Sequence, residues 1–150
     1  MGTPGFVLVC ALNLLGRSAE SLPPIVILDT APVEASSHAT GFVRRGEPVI
    51  YLIASSPAFR SAMEAQTQPG PCQGLDWLRL LASVIVHEQW HLDHNSSEVH
   101  AYYAQLTALQ VLGVPPGRWP YETVRRSLVT VRETESRRLR AARQQLVSSR

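Results

Sequence analysis

The sequence predicts an α+β domain in which short strands come first and longer helices follow. β-leaning runs bounded by turn residues lie in the first third of the chain, and apolar residues recur with helical spacing from Asp76 onward. Strands and helices that are segregated along the sequence are typical of α+β folds. The 150 residues are 45% hydrophobic, which indicates a single domain over residues 1–150 with a core of its own.

Three short runs predict the strands. Ile25–Leu28 is apolar throughout, and His38–Arg44 and Pro48–Ala54 follow it, with Arg45-Gly46-Glu47 between them. Turn residues that separate two β-leaning runs predict a hairpin. We therefore expect a small antiparallel sheet or hairpin, packed against the long helix that comes next.

The strongest helical pattern begins at Asp76, which occupies the position of an N-cap, and continues to Glu88 with apolar residues on nearly every side. Such a helix should be buried almost all round. Asp93–Ser97 interrupts the pattern. A second helix is predicted over Glu98–Leu112, because Gly113 and two prolines follow it and would stop it.

Two further helices flank this pair. Ala58–Gln66 predicts a short helix, and Tyr121–Leu146 predicts a longer one that makes up most of the C-terminal segment 121–150. Six of the fourteen Arg residues lie between Arg132 and Arg150. We interpret them as a solvated helix face, with a phosphate-binding arm as the alternative. The net charge of +2 is too small to predict a nucleic-acid partner.

The start of the chain carries two further signals. Phe6–Leu15 is apolar like the central part of a signal peptide, but no basic segment precedes it. A cytoplasmic protein is therefore slightly favoured, and export with a signal-like or poorly ordered start over residues 1–20 is the alternative. The run is too short to span a bilayer. Cys10 and Cys72 lack metal-ligand or Cys-x-x-Cys spacing, so no disulfide framework is predicted.

The residues that indicate chemistry are His87, Glu88 and His91, which form a His-Glu-x-x-His motif. Side chains four apart on a helix lie one above the other, so both imidazoles can reach one metal ion. Zinc accepts imidazole nitrogens at about 2.0–2.1 Å. The intervening carboxylate can take a proton from a metal-bound water, whose pKa the ion lowers to near 7. We therefore predict one Zn²⁺ per chain, with Glu88 as the general base.

A catalytic zinc ion usually takes three protein ligands, and three residues could supply the third. Glu98 is our choice, because a turn after His91 would bring the start of the next helix back to the metal. His94 and His100 are the alternatives. Glu98 could instead close a capping box with Asn95, in which case it would only fix the helix start.

Neighbouring residues suggest supporting roles. Tyr102 and Gln105 follow Glu98 by four and seven residues and share its helix face. We predict that Tyr102 stabilises an oxyanion, although a core position is the commoner use of such a residue. Asp93 could orient a histidine ligand. Arg44 and the arginine after it could bind a substrate carboxylate, or simply form the charged tip of the hairpin.

The His-Glu-x-x-His motif followed by Glu98 resembles the zincin metallopeptidases, and within them the gluzincins, whose third ligand is a Glu on a following helix. The resemblance covers about Leu80–Leu112, and the stretch Glu98–Leu106 resembles small bacterial HExxH proteins. It implies a minimal zincin-like domain whose ligand helix packs beside a sheet. The edge strand of that sheet would bind extended substrate, and Pro48–Ala54 is the expected counterpart. His94 and Ser97 occupy the positions of the metzincin Gly and His, so that branch is excluded.

The function predicted from these observations is zinc-dependent hydrolysis of a peptide or protein substrate. The first alternative is a non-catalytic, zinc-stabilised binding module, in which a fourth protein ligand would close the coordination sphere. The second is a polar cluster without metal, whose stability would not respond to a chelator. Oligomeric state is left open by the sequence.

Overall fold

A computed structural model describes residues 1–21, 23–36, 39–67 and 70–149. His38, where the first strand of the predicted hairpin was expected to begin, lies outside these ranges, as does Arg150. The elements, in chain order, are α1 (Pro4–Leu14), β1 (Ile25–Leu28), β2 (Gly41–Val43), β3 (Ile50–Ile53), α2 (Pro57–Glu64), α3 (Leu75–Asp93), α4 (Glu98–Val111) and α5 (Trp119–Ser148). The α+β prediction is confirmed.

The sheet is mixed, with the order β1-β3-β2. β2 pairs antiparallel with β3, as the predicted hairpin requires, but β1 pairs parallel with the other side of β3. β3 is therefore the central strand, and Ile50 and Leu52 within it are fully buried. The expectation that Pro48–Ala54 supplies an edge strand is wrong, because its apolar residues fill the middle of the sheet and leave β2 at the edge.

Helix α3 lies at the centre of the molecule and separates two apolar clusters. The larger cluster joins α3 to α1, α2 and β3, and includes Val7, Phe59 and Leu81. The smaller one joins α3 to α4 and α5 through Leu80 and Leu109, among others. Apolar residues on nearly every side of α3 thus have a partner, as the sequence pattern predicts.

The start of α3 differs from the prediction. Gly74 is the N-cap, with φ +65° and ψ +51°, and Asp76 lies inside the first turn. There the Asp76 carboxylate accepts hydrogen bonds from Arg79 and Arg118 rather than from the backbone of the helix. The positive φ of Gly74 lets the chain turn sharply into the helix.

A disulfide joins Cys10 of α1 to Cys72, just before α3, with Cα atoms 5.9 Å apart. This bond could not be predicted from the sequence, because a single pair separated by 62 residues has no diagnostic spacing. The apolar run Phe6–Leu15 forms most of α1, in which Val7 and Ala11 are fully buried. In the described ranges, no helix has both the length and the apolar character needed to cross a membrane.

Candidate metal centre

The two histidines of the motif lie near the C-terminal end of α3, on the face turned toward α4. Their ring centroids are 5.0 Å apart. His87 is 5% exposed, and the His91 side chain is 8% exposed. Two nearly buried imidazoles need polar partners, because an unpartnered polar group in this position is costly.

Glu98 supplies one such partner, because the chain reverses direction between α3 and α4. Asn95 Oδ1 accepts the Ser97 N–H at 2.8 Å, and the Ser97 hydroxyl caps α4 by accepting the His100 N–H. The capping-box interpretation is therefore wrong: Ser97, not Asn95, is the N-cap, and Glu98 is the first helical residue. Its carboxylate is consequently free to turn back toward α3.

The Glu98 carboxylate bridges the two imidazoles. Its Oε1 lies 2.8 Å from His91 Nε2, and its Oε2 lies 3.2 Å from His87 Nε2. One ligand atom from each of the three residues lies within 4.8 Å of the other two, and this group could hold a metal ion. The structure thus brings together the three residues that the sequence predicts as ligands.

The opposite ring nitrogens are held by carbonyl oxygens. His87 Nδ1 lies 2.9 Å from Gln105 Oε1, and His91 Nδ1 lies 2.8 Å from the backbone oxygen of Asn95. With its proton held on Nδ1, a neutral ring carries its lone pair on Nε2, the atom that faces the Glu98 carboxylate, whereas a protonated ring donates from Nε2 to that carboxylate. Two imidazole lone pairs and a carboxylate form a donor set that suits a divalent cation.

The alternative third ligands lie elsewhere. The His94 ring stacks on Trp90 at 4.6 Å between centroids, and His94 Nδ1 approaches the Trp90 carbonyl. His100 Nδ1 lies 2.7 Å from the Ser97 hydroxyl. Both rings are exposed and neither belongs to the three-residue group. Asp93 is exposed too, and the Asn95 carbonyl takes the orienting role that the sequence suggested for it.

Glu88 is a nearly buried carboxyl beside this group. It is 7% exposed, and its Oε1 lies 3.9 Å from His87 Nε2. Burial raises the pKa of Glu88 and Glu98 adds to the rise, while His87 and His91 act in the opposite direction. A carboxyl whose pKa is raised toward neutrality is suited to accepting a proton and then giving it up.

Glu98 and its two imidazole partners stabilise one another's charged forms. Burial would raise the pKa of Glu98, but hydrogen bonds from His87 and His91, together with their charges, lower it to about 2. Burial lowers the pKa of His91, yet the Glu98 and Asn95 oxygens and the nearby negative charges outweigh burial and raise it overall. Glu98 is therefore an anion at neutral pH, as a metal-ligating carboxylate must be.

Tyr102 lies one helical turn beyond Glu98, with its ring edge against His87 at 4.6 Å between centroids. Its pKa is raised by burial and by the charges of Glu98 and Glu88, while a hydrogen bond with Ser127 acts in the opposite direction. The hydroxyl therefore stays protonated at neutral pH and can donate a hydrogen bond. Tyr102 thus lies beside His87, on the helix face of Glu98 that its spacing predicts.

An open cleft of about 1580 Å³ exposes the group to solvent, and β2 forms one of its walls. Ile53 N donates to Thr40 O at 2.8 Å. The backbone N–H and C=O groups of residues 40 and 42 therefore point toward β3 in the antiparallel ladder. By the alternation of such ladders, the N–H and C=O groups of Gly41 and Val43 point to the free edge. Among the described residues, β2 has no second strand partner, so the cleft has a free strand edge beside the candidate ligands.

The arginine pair predicted to bind a carboxylate is divided by the structure. Arg44 forms an ion pair with Glu34 at 2.6 Å, and its guanidinium lies 4.6 Å from the centre of the Tyr51 ring. The Arg44 side chain is therefore already paired with groups of the protein itself. Arg45 is exposed and, like Arg44, lines the cleft, so Arg45 is the member of the pair that remains available to bind a carboxylate.

Gln105 is the residue beside the His87, His91 and Glu98 group whose contact with His87 the sequence did not predict. It was placed on the face of Glu98 by its spacing, but nothing in the sequence indicated that its amide would contact His87.

Comparison of the chain with known protein families, with curated proteins and with solved structures found no match.

Proposed function

We propose that the protein is a zinc-dependent peptidase in which His87, His91 and Glu98 hold the ion and Glu88 is the general base. The observation that carries this proposal is the convergence of the three ligand atoms within 4.8 Å of one another. The Glu88 carboxyl lies beside them, at the wall of an open cleft. The same combination, a His-Glu-x-x-His helix followed by a Glu on the next helix, supports the resemblance to gluzincins.

A bound zinc ion would polarise the scissile carbonyl and make water acidic enough to attack at neutral pH. Glu88 accepts the proton of the attacking water at Oε1 and passes it to the departing amine. Its buried position favours this role, because burial raises the pKa of Glu88 toward the working range of a general base. Tyr102 donates a hydrogen bond to the oxygen on which negative charge develops.

The substrate of this proposal is an extended peptide. The free edge of β2 presents the backbone groups of Gly41 and Val43 along the cleft, and an added strand would satisfy them by β-augmentation. This assignment replaces Pro48–Ala54, which lies in the middle of the sheet. Exposed Arg45 lies at the end of the same strand, where a substrate carboxylate could approach it.

The competing interpretation is a binding module in which zinc only stabilises the fold. Such a site is usually closed by a fourth protein ligand. Among the described residues, the cluster contains three ligating groups, and His94 and His100 are engaged with Trp90 and Ser97. This arrangement favours an open coordination position and therefore the enzyme.

The decisive experiment compares Glu88→Gln with wild type on a mixed peptide library read by mass spectrometry. We expect wild type to cleave and Glu88→Gln to lose at least about 100-fold in rate, because the general base is removed, while its zinc content is unchanged. Glu64→Gln, an exposed substitution on α2, is the matched control and should cleave like wild type. Cleavage by Glu88→Gln at the wild-type rate would refute the mechanism, and zinc retention without any cleavage by wild type would favour the binding module.

A further inference from the structure

A buried chain of polar groups runs behind His87, away from the cleft. His87 Nδ1 lies 2.9 Å from Gln105 Oε1, and Gln105 Nε2 lies 3.1 Å from Ser83 Oγ. Ser83 Oγ in turn lies 2.6 Å from the backbone oxygen of Leu80. The chain therefore starts at an α3 carbonyl, crosses to α4 at Gln105, and returns to α3 at the imidazole.

The direction of every hydrogen bond in this chain follows from its first member. A backbone carbonyl can only accept, so the Ser83 hydroxyl donates its proton to Leu80. The Ser83 oxygen is then an acceptor and takes the Gln105 amide N–H. This orients the Gln105 carbonyl oxygen toward His87, which must carry its proton on Nδ1. In the neutral ring the lone pair of His87 is consequently on Nε2, the atom that faces Glu98.

Burial makes each hydrogen bond of this series hard to replace. Ser83 is 0% exposed, Gln105 is 4% exposed and His87 is 5% exposed, so water cannot readily substitute for a lost partner. The second imidazole differs, because the acceptor for His91 Nδ1 is the backbone oxygen of Asn95. A substitution can remove the acceptor of His87 but not that of His91.

We propose that Gln105 is a positioning residue that holds the His87 imidazole in the tautomer and orientation required to bind the metal. Gln105 acts through His87 and does not touch the ion. The proposal rests on the metal site of the proposed function, but its core, the tautomer of His87, concerns the protein without metal as well. It explains why a polar amide is buried between these two helices.

Zinc affinity, measured by competition with a chromophoric chelator, is the first test. Gln105→Leu replaces the amide by a branched apolar side chain one bond shorter and so removes the acceptor, and we expect binding about 10–100-fold weaker, the usual effect of losing such a partner. Gln105→Glu keeps an oxygen facing His87, with Ser83 able to rotate and donate to the second oxygen, so affinity should recover to within about threefold. Gln110→Leu, an exposed change on the same helix, should bind like wild type.

The second test is the ¹⁵N spectrum of the His87 ring in metal-free protein. Wild type should show the proton on Nδ1, and Gln105→Leu should shift the ring toward the other tautomer. A wild-type ring without a proton on Nδ1, or zinc binding by Gln105→Leu as tight as by wild type, would overturn the proposal. If wild type bound no zinc at all, the proposed function would fail, and the ¹⁵N spectrum would still decide the role of Gln105.

Discussion

Reducing the Cys10–Cys72 disulfide should destabilise the domain by an amount that its place in the chain sets. The bond closes a loop of 62 residues, and the chain-entropy account assigns such a loop about 4 kcal/mol at 25 °C. For a chain of this length, each kcal/mol changes Tm by about 2–4 °C, so the expected fall in Tm is about 8–16 °C. Zinc binding should survive, because His87 lies about 18 Å along α3 from its first residue.

The assay is thermal unfolding followed by circular dichroism, with and without a phosphine reductant that binds zinc weakly. Reduction leaves both sulfur atoms in place, so it isolates the cross-link from the packing of Cys10, which is 1% exposed. The double substitution Cys10→Ala with Cys72→Ala should show a low Tm in both conditions. A thiol titration of unfolded protein confirms that reduction is complete.

The reasoning would be refuted if fully reduced wild type melted within about 2 °C of the oxidised protein, since that would correspond to no more than about 1 kcal/mol. A large reductant effect on the double variant would also count against it, because that variant has no disulfide to lose.

Two further predictions concern α3 and the cleft. Gly74→Ala should lower the free energy of unfolding, measured in urea, by at least about 1 kcal/mol more than Gly16→Ala. Both substitutions place Ala at positive φ. Only the Cβ at position 74 would meet a neighbour, because the Cβ of Ala65 would lie 2.5 Å from it. Equal losses would show that the contact relaxes freely. Tyr102→Phe should keep zinc but reduce kcat about 100-fold by removing an oxyanion donor; an unchanged kcat would assign Tyr102 to packing against His87 alone.

The elements that the sequence predicted well are those whose local pattern and tertiary role agree. β1 is observed at Ile25–Leu28 as predicted, and α4 begins at Glu98 as predicted. The α3 helix was predicted to be buried all round because apolar residues appear on every side, and it does lie between two apolar clusters. Periodicity carried this information without any knowledge of the partners.

The features that the sequence could not predict depend on contacts between residues that lie far apart in the chain. The position of β3 between β1 and β2 is set by which strands meet, and a short apolar run reads the same at the centre or the edge of a sheet. The Cys10–Cys72 bond joins residues that only folding brings together. The contact of Gln105 with His87 belongs to the same class, because spacing placed the amide on the correct face but not its hydrogen-bond partners.

The capping-box alternative for Glu98 failed for a local reason. Two overlapping signals for a helix start lie just before Glu98, because the side chain of Asn95 or that of Ser97 can serve as the N-cap. The structure uses Ser97 for the cap and Asn95 for the preceding turn. This choice releases Glu98 from the cap and allows it to reach the imidazoles of α3.

The zinc content of purified protein, measured after dialysis against metal-free buffer, tests the central claim most directly. Wild type should retain about one zinc per chain, as should His94→Ala, which changes an exposed imidazole just beyond the site. His87→Ala and His91→Ala should each lose the metal while keeping the helical circular dichroism of wild type. Wild type without zinc, or His91→Ala with as much zinc as His94→Ala, would contradict the account.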